Sequence, residues 1–322
     1  MHRAFANYVH VPGVIGIRTN IKGFRWGYGK CVSPSSDSSF NECKIKVFLE
    51  EKKDQNVFDG LDIDTYTEVF RDFKAKPQAV SVIYEKKVGA VKLRLSVSIQ
   101  GDCVRVTVGR SYLKNIRIKL MYIHPVSYML FDIVSMLLLR RGMTTLYCSA
   151  AELHNGSAVL CVAPPNTGKS LTVLQLMNRY GARIIAEDMA VTDGTSIWGA
   201  PYTGLYRNYH DAGLKPNKQN IVQPFAKKIQ AVFILQKGSI NDECKPENYV
   251  DLMTLINRYS LGYYYSPCVR VLDYYNRGFD IKEAQSTEEQ IVKKIADNTL
   301  TYFIERQNSL DFAECIQSLL NE

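Results

Sequence analysis

An apolar run from Ala158 to Val162 stops at two prolines, and within a few residues a helical pattern begins. The octet between them, Ala163-Pro164-Pro165-Asn166-Thr167-Gly168-Lys169-Ser170, admits few folds. A strand must deliver the chain to a tight turn, and a helix must leave it. Leu171, Leu174, Leu176 and Met177 give that helix an apolar face. Backbone N–H groups from Asn166 to Ser170 then point into one hollow, which also faces the positive end of the helix dipole. Such a turn is a phosphate-binding loop, here with alanine in place of the usual first glycine. Pro164 and Pro165 carry no N–H, so the cradle has fewer donors than a glycine-rich loop. Asn166 can still take the left-handed conformation that a glycine would otherwise supply. Lys169 is expected to reach the outer phosphates and Ser170 to ligate magnesium. Asn166, Thr167, Gly168, Lys169, Ser170 and Leu171 are the candidate nucleotide-binding residues.

The residues beyond the helix narrow the reading. Tyr180-Gly181 is a C-cap signal. A short apolar strand over Arg183–Ala186 then ends in two carboxylates, Glu187 and Asp188. Asp193-Gly194 predicts a two-residue hairpin turn, and Asn155-Gly156 predicts another upstream. Antiparallel hairpins therefore flank both the loop and the acidic pair, where the common nucleotide-binding α/β domain has crossover helices.

With these features, residues 146–194 resemble the catalytic domain of the HPr kinase/phosphorylase family and its stand-alone relatives. The family shares its fold with phosphoenolpyruvate carboxykinase. The resemblance rests on the hairpin, "APPNTGKS", the one-helix spacing and "IIAED", and covers the C-terminal half of the chain. It implies a P-loop kinase using Mg2+ and ATP, or another nucleoside triphosphate, as phosphoryl donor. Two positions depart from the family. Glu187 stands where the family has the first of two aspartates, and Cys148 falls where a histidine is often found. The second departure speaks against HPr-type phosphorolysis. HPr kinases are hexamers, so a homo-oligomer is compatible with the resemblance.

Length and charge set the frame. At 322 residues the chain exceeds one typical domain. Its net charge of +8 is uneven: 23 basic against 13 acidic residues over 1–143, or +10, and 17 against 19 over 144–322, or −2. The basic residues of the first half alternate with apolar strand residues rather than clustering with exposed aromatics, so a solvated basic face is expected and nucleic acid is not. Eight cysteines show no Cys-x-x-Cys spacing, which predicts free thiols in a reducing cytoplasm. No signal peptide or membrane span is apparent.

Along the chain we expect a β-rich N-terminal domain over 1–123, a connecting helix over 124–142, and a nucleotide-binding catalytic domain over 143–322. The fold class is α+β or α/β, with a mixed sheet and flanking helices in the second domain. Short strands fall around Val14–Thr19 and Lys44–Leu49. Residues 33–41 read as a polar loop. In "VKLRLSVSI" every odd position from Val91 to Ile99 is apolar, so that strand has one wet face, and Val104, Val106 and Val108 continue in its partner. The N-terminal half thus reads as mostly antiparallel. Arg110–Lys119 reads as a basic edge strand. Further on, helices are expected near 248–259 and from Ser266-Pro267 to Asn276. Ser286 and Glu289 form a capping box for a helix to about Ala296. A last strand over Leu300–Glu305 and a helix from about Leu310 to Leu320 complete the chain.

Phosphoryl transfer needs positioned phosphates, neutralised charge and an oriented nucleophile. Lys169, Ser170 and magnesium serve the first two. A serine-type hydroxyl needs a carboxylate base, and consecutive strand residues face opposite ways. Glu187 is assigned as the base and Asp188 as the metal-side acid, so Lys169, Glu187 and Asp188 are the catalytic set and Ser170 and Asp188 the metal ligands. Arg207, in a loop with Tyr202, Tyr206 and Tyr209, is the candidate acceptor contact, because its planar fork suits phosphate and carboxylate. The favoured activity is phosphorylation of a serine-type hydroxyl on a peptide or protein. The alternatives are a kinase for free serine-like small molecules and a nucleotide-binding regulator without turnover.

Overall fold

The computed structural model describes residues 4–11, 13–21, 25–26, 29–30, 33–70, 72–76, 81–115, 126–164, 166–187, 190–199, 226–238, 243–244 and 281–321. Alternating strands in the first half build a nine-stranded sheet. Its strands are β1 (Ala6–Val11), β2 (Ile15–Thr19), β5 (Ser33–Pro34), β6 (Ile45–Lys52), β7 (Thr67–Phe70), β8 (Phe73–Ala75), β9 (Ser81–Val88), β10 (Val91–Gln100) and β11 (Cys103–Gly109). Between them β3 (Arg25–Trp26) and β4 (Gly29–Lys30) form a separate ladder. The order is β5-β1-β2-β6-β11-β10-β9-β8-β7. Apolar partners in register, such as Ile17 with Val47, Val47 with Val104 and Val97 with Val106, bury one face. The sheet is mostly antiparallel, as expected, and is mixed only because β6 pairs in parallel with both β2 and β11.

Two readings of this half need correction. The polar stretch at 33–41 contains a helix, α1 (Asp37–Glu42), which the Ser36 hydroxyl caps by accepting from the Ser39 N–H and which buries Phe40. The basic edge strand begins instead as a helix, α2 (Arg110–Asn115). Asp54 accepts from the Ser111 N–H at 3.0 Å and from its hydroxyl at 2.7 Å, and Tyr112 is fully buried. A carboxylate at the first turn offsets the orphan N–H groups and the dipole there. The rest of that stretch, 116–119, lies outside the described residues.

The apolar segment after Pro125 forms α3 (Val126–Leu139), which buries Leu130, Ile133, Val134, Leu137 and Leu138. Among the described residues no helix is long and apolar enough to cross a membrane. The chain forms two compact units, one carrying the first sheet and one the second, and in sequence the division at α3 falls between Leu137 and Leu138.

The second unit is a three-layer arrangement. Its strands are β12 (Thr144–Leu146), β13 (Cys148–Glu152), β14 (Ala158–Val162), β15 (Arg183–Ala186), β16 (Ala190–Thr192), β17 (Ser196–Gly199), β18 (Lys227–Lys237), β19 (Glu243–Cys244) and β20 (Leu300–Arg306). Its helices are α4 (Lys169–Tyr180), α5 (Ile281–Asn298) and α6 (Ser309–Asn321). The order β12-β16-β17-β18-β14-β13-β15 branches at β18, which also pairs with β20. Strands β14, β18 and β20 run parallel and the hairpin strands antiparallel. One face packs Val159, Cys161, Phe233 and Ile304 against Val173, Leu174 and Met177 of α4 and Phe312 and Ile316 of α6. The other face packs Leu160, Val162, Val232 and Ile234 against Val292 and Ile295 of α5. Truncating such a fully buried side chain, for example Leu174→Ala, costs about 2–5 kcal/mol. The whole is a mixed α/β fold with two large mixed sheets and flanking helices.

Helix α5 covers Ile281–Asn298, so Ser286 and Glu289 sit inside it rather than capping it. The Thr287 hydroxyl donates back to the Glu283 carbonyl within the helix. The Glu- and Gln-rich sequence around Ser286 favours helix strongly enough to run through it. The helices expected near 248–259 and 266–276 lie outside the described residues.

Candidate functional site

Every residue of β14 is buried, and the strand is flanked by β13 and β18, so its C-terminal end is held rigidly. From there Ala163 leads into the 163–170 loop. Asn166 has φ 65°, alone among the described non-glycine residues in lying on the positive side. Gly168 comes next at φ 113° and caps α4. The two left-handed residues turn the chain so that α4 begins at Lys169. The Thr167 N–H donates to the Pro164 carbonyl at 3.4 Å, and the Thr172 N–H to the Gly168 carbonyl at 2.8 Å. At the far end Gly181, at φ 67°, closes α4 with bonds from the Gly181 N–H to the Met177 carbonyl and from the Ala182 N–H to the Leu176 carbonyl. This is the double bond pattern of a glycine C-cap.

Lys169 is only 4 % exposed. Its Nζ lies 3.9 Å from the centroid of the Tyr147 ring, between β12 and β13. Ser170 Oγ donates to the backbone carbonyl of Glu187 at 3.1 Å. Ser149 Oγ, from β13, donates to the same carbonyl and lies 3.4 Å from Ser170 Oγ. The Glu187 residue is 2 % exposed. Behind the loop, burial pushes the Cys161 thiol up to about 12, with only partial offset from the Lys169 charge. Cys148 is also buried, opposite Val162.

The structure thus brings Lys169, Ser170 and Glu187 together at the C-terminal ends of β14 and β15. Asn166, Thr167 and Gly168 form the loop itself, and the partly buried Leu171 packs on the core beneath. Asp188 and Arg207 lie outside the described residues, as do Tyr202, Tyr206 and Tyr209. Ser149 and Tyr147 are neighbours of the site that the motif does not contain. The antiparallel register opposite β14 hints at Ser149, but the β13–β15 register shifts between Ala150 and Ala151, so counting residues does not place it beside Glu187.

Among the described residues no group of three His, Cys, Asp or Glu is arranged to hold a metal. The hydrogen-bond neighbours of Ser170 Oγ are both oxygens, the Ser149 hydroxyl and the Glu187 main-chain carbonyl. That set suits a hard cation completing its shell with phosphate and water. It does not suit a soft metal.

Both hairpins form. Neither turn is two residues alone: β13 and β14 are joined through 153–157, and β16 and β17 through 193–195. Asp193 Oδ1 accepts from the Thr195 N–H, the Thr195 hydroxyl and the Ser196 N–H, an Asx-type turn.

No family model matches this chain, and no curated protein does. Among solved structures it is similar to the HPr(Ser) kinase/phosphatase from Coxiella burnetii, at 16% identity and a TM-score of 0.22, over 33% of this chain and 73% of that one.

Proposed function

We propose that the chain is a Mg-nucleotide-dependent kinase that transfers a phosphoryl group to a serine-type hydroxyl of a peptide or protein. The observation that carries this reading is the 163–170 loop. Left-handed Asn166 and Gly168 open a helix whose first residues are a lysine and a serine, and that serine is hydrogen-bonded to the acidic strand end at Glu187. Backbone N–H groups of the loop and the Lys169 ammonium hold the donor phosphates, as helix N-termini and phosphate loops do. Ser170, with Asp188, holds Mg2+. The metal supplies charge neutralisation on the phosphate oxygens when bound. Glu187 accepts the proton of the attacking hydroxyl, and Arg207 contacts the acceptor. In this reading 143–322 is the catalytic domain, 124–142 the connecting helix and 1–123 a separate domain. ATP or another nucleoside triphosphate is the donor, and the setting is cytoplasmic.

Calorimetric titration of wild type and Lys169→Ala with Mg-ATP tests it. Wild type should bind and turn over nucleotide. Lys169→Ala should lose both while keeping its melting temperature. Unchanged affinity and turnover in the variant overturn the reading.

A further inference from the structure

An ammonium that is almost fully withdrawn from water needs favourable electrostatics around it. Lys169 is in that position at 4 % exposure, and Tyr147 presents its ring face 3.9 Å from Nζ. The ring is itself 8 % exposed, so this contact is largely desolvated. The negative face of an aromatic ring attracts a cation most strongly under that condition. Tyr147 sits on the short link between β12 and β13, both fully buried strands, so the ring has little freedom to follow the lysine.

We infer that Tyr147 is a positioning residue for the donor phosphates: its ring holds the Lys169 ammonium in place beside the loop before any nucleotide arrives. This rests on the nucleotide reading above. A lysine side chain loses rotamer freedom when it is fixed. With the ammonium already seated on the ring, part of that loss is met before binding, which is preorganisation. An ammonium carries three N–H donors, so a ring contact on one side is compatible with donation to a bound phosphate.

The test uses the full chain and two readouts. The first is NMR of the nucleotide-free protein with lysine labelled at Cε. The Lys169 resonance, identified by its disappearance in Lys169→Met, should be shifted upfield by the ring current in wild type and Tyr147→Phe. It should return to the ordinary lysine position in Tyr147→Leu. The second is calorimetric affinity for Mg-ATP. Tyr147→Leu should weaken binding about 2- to 30-fold, the range a partly to fully desolvated cation–π contact supports. Tyr147→Phe, which keeps the ring, should recover most of that loss. An unshifted Lys169 resonance in wild type overturns the inference. So does unchanged or tighter nucleotide binding by a Tyr147→Leu protein that melts as wild type, and both results leave the kinase reading intact. Failure of wild type to bind Mg-ATP, with the upfield resonance present, instead overturns the nucleotide reading and with it the role given to the ring.

Discussion

Ser170 Oγ lies 3.1 Å from the backbone carbonyl oxygen of Glu187, so one hydrogen bond ties the first turn of α4 to the end of β15. Ser149 Oγ donates to the same oxygen from β13. Three elements that are separate in sequence therefore meet on one atom. Because that atom belongs to the main chain, these bonds fix where the acidic pair begins without engaging the Glu187 carboxylate.

The acidic pair should fail in two different ways. Glu187→Gln keeps size and hydrogen bonding but takes no proton. It should still bind Mg-nucleotide and lose about 10²- to 10⁴-fold in transfer rate. Asp188→Asn should instead raise the magnesium requirement, with partial rescue at high metal. Single-turnover transfer across a magnesium series reads both. Exchanged phenotypes reverse the two assignments, and full activity in both variants removes the pair from the mechanism.

At the opposite end of β13 from the site, Glu152 is 2 % exposed and pairs with Arg183 and Lys227, each at 2.5 Å. Lys227 is 22 % exposed and Arg183 51 %, so the lysine is the better-shielded partner. Lys227→Met leaves a buried carboxylate poorly compensated and should cost about 3 kcal/mol. Arg183→Met removes a half-exposed partner and should cost about 1 kcal/mol or less. Urea unfolding compares them; a larger loss in Arg183→Met contradicts the ranking.

Asp193 gives a pH signature. Burial pushes its carboxyl up, but bonds from the Ser196 and Thr195 N–H groups and the Thr195 hydroxyl outweigh this, so its pKa lies below the usual aspartate value. A pKa lower in the folded than in the unfolded chain adds stability above the unfolded value of about 3.9. That contribution is lost as pH falls through the folded value. Asp193→Asn should therefore melt below wild type at pH 6, and the gap should narrow as the pH is lowered past 4. A gap of constant size across the acid range rules out this origin.

Thiol reactivity tracks burial. With its pKa pushed up to about 12, Cys161 stays protonated at pH 8. In native protein it should alkylate far more slowly than the half-buried Cys103, as peptide mapping would show. Cys43, Cys103, Cys148, Cys161 and Cys315 are free thiols. Intact mass without reductant should find all eight cysteines of the chain free.

Local chemistry made part of this protein legible in its sequence. The loop from Ala163 to Ser170, with Asn166 left-handed and a helix from Lys169, comes from turn residues and apolar spacing within one stretch of chain. So do β10 and β11 around Gly101, and the Gly181 cap. Helix α2 does not, because its N-terminal carboxylate is Asp54, distant in sequence from Ser111. The parallel pairs β2–β6–β11 and β14–β18–β20 also needed the fold, since parallel partners are joined by long connections with no turn signal between them. Near the site, Ser149 and Tyr147 reach Glu187 and Lys169 only through sheet pairing, and a register shift hides the first from counting. Turn and helix preferences act between neighbours in sequence. The contacts that seat a buried lysine on a ring and bring two hydroxyls to one carbonyl act between neighbours in space, and only tertiary packing decided those.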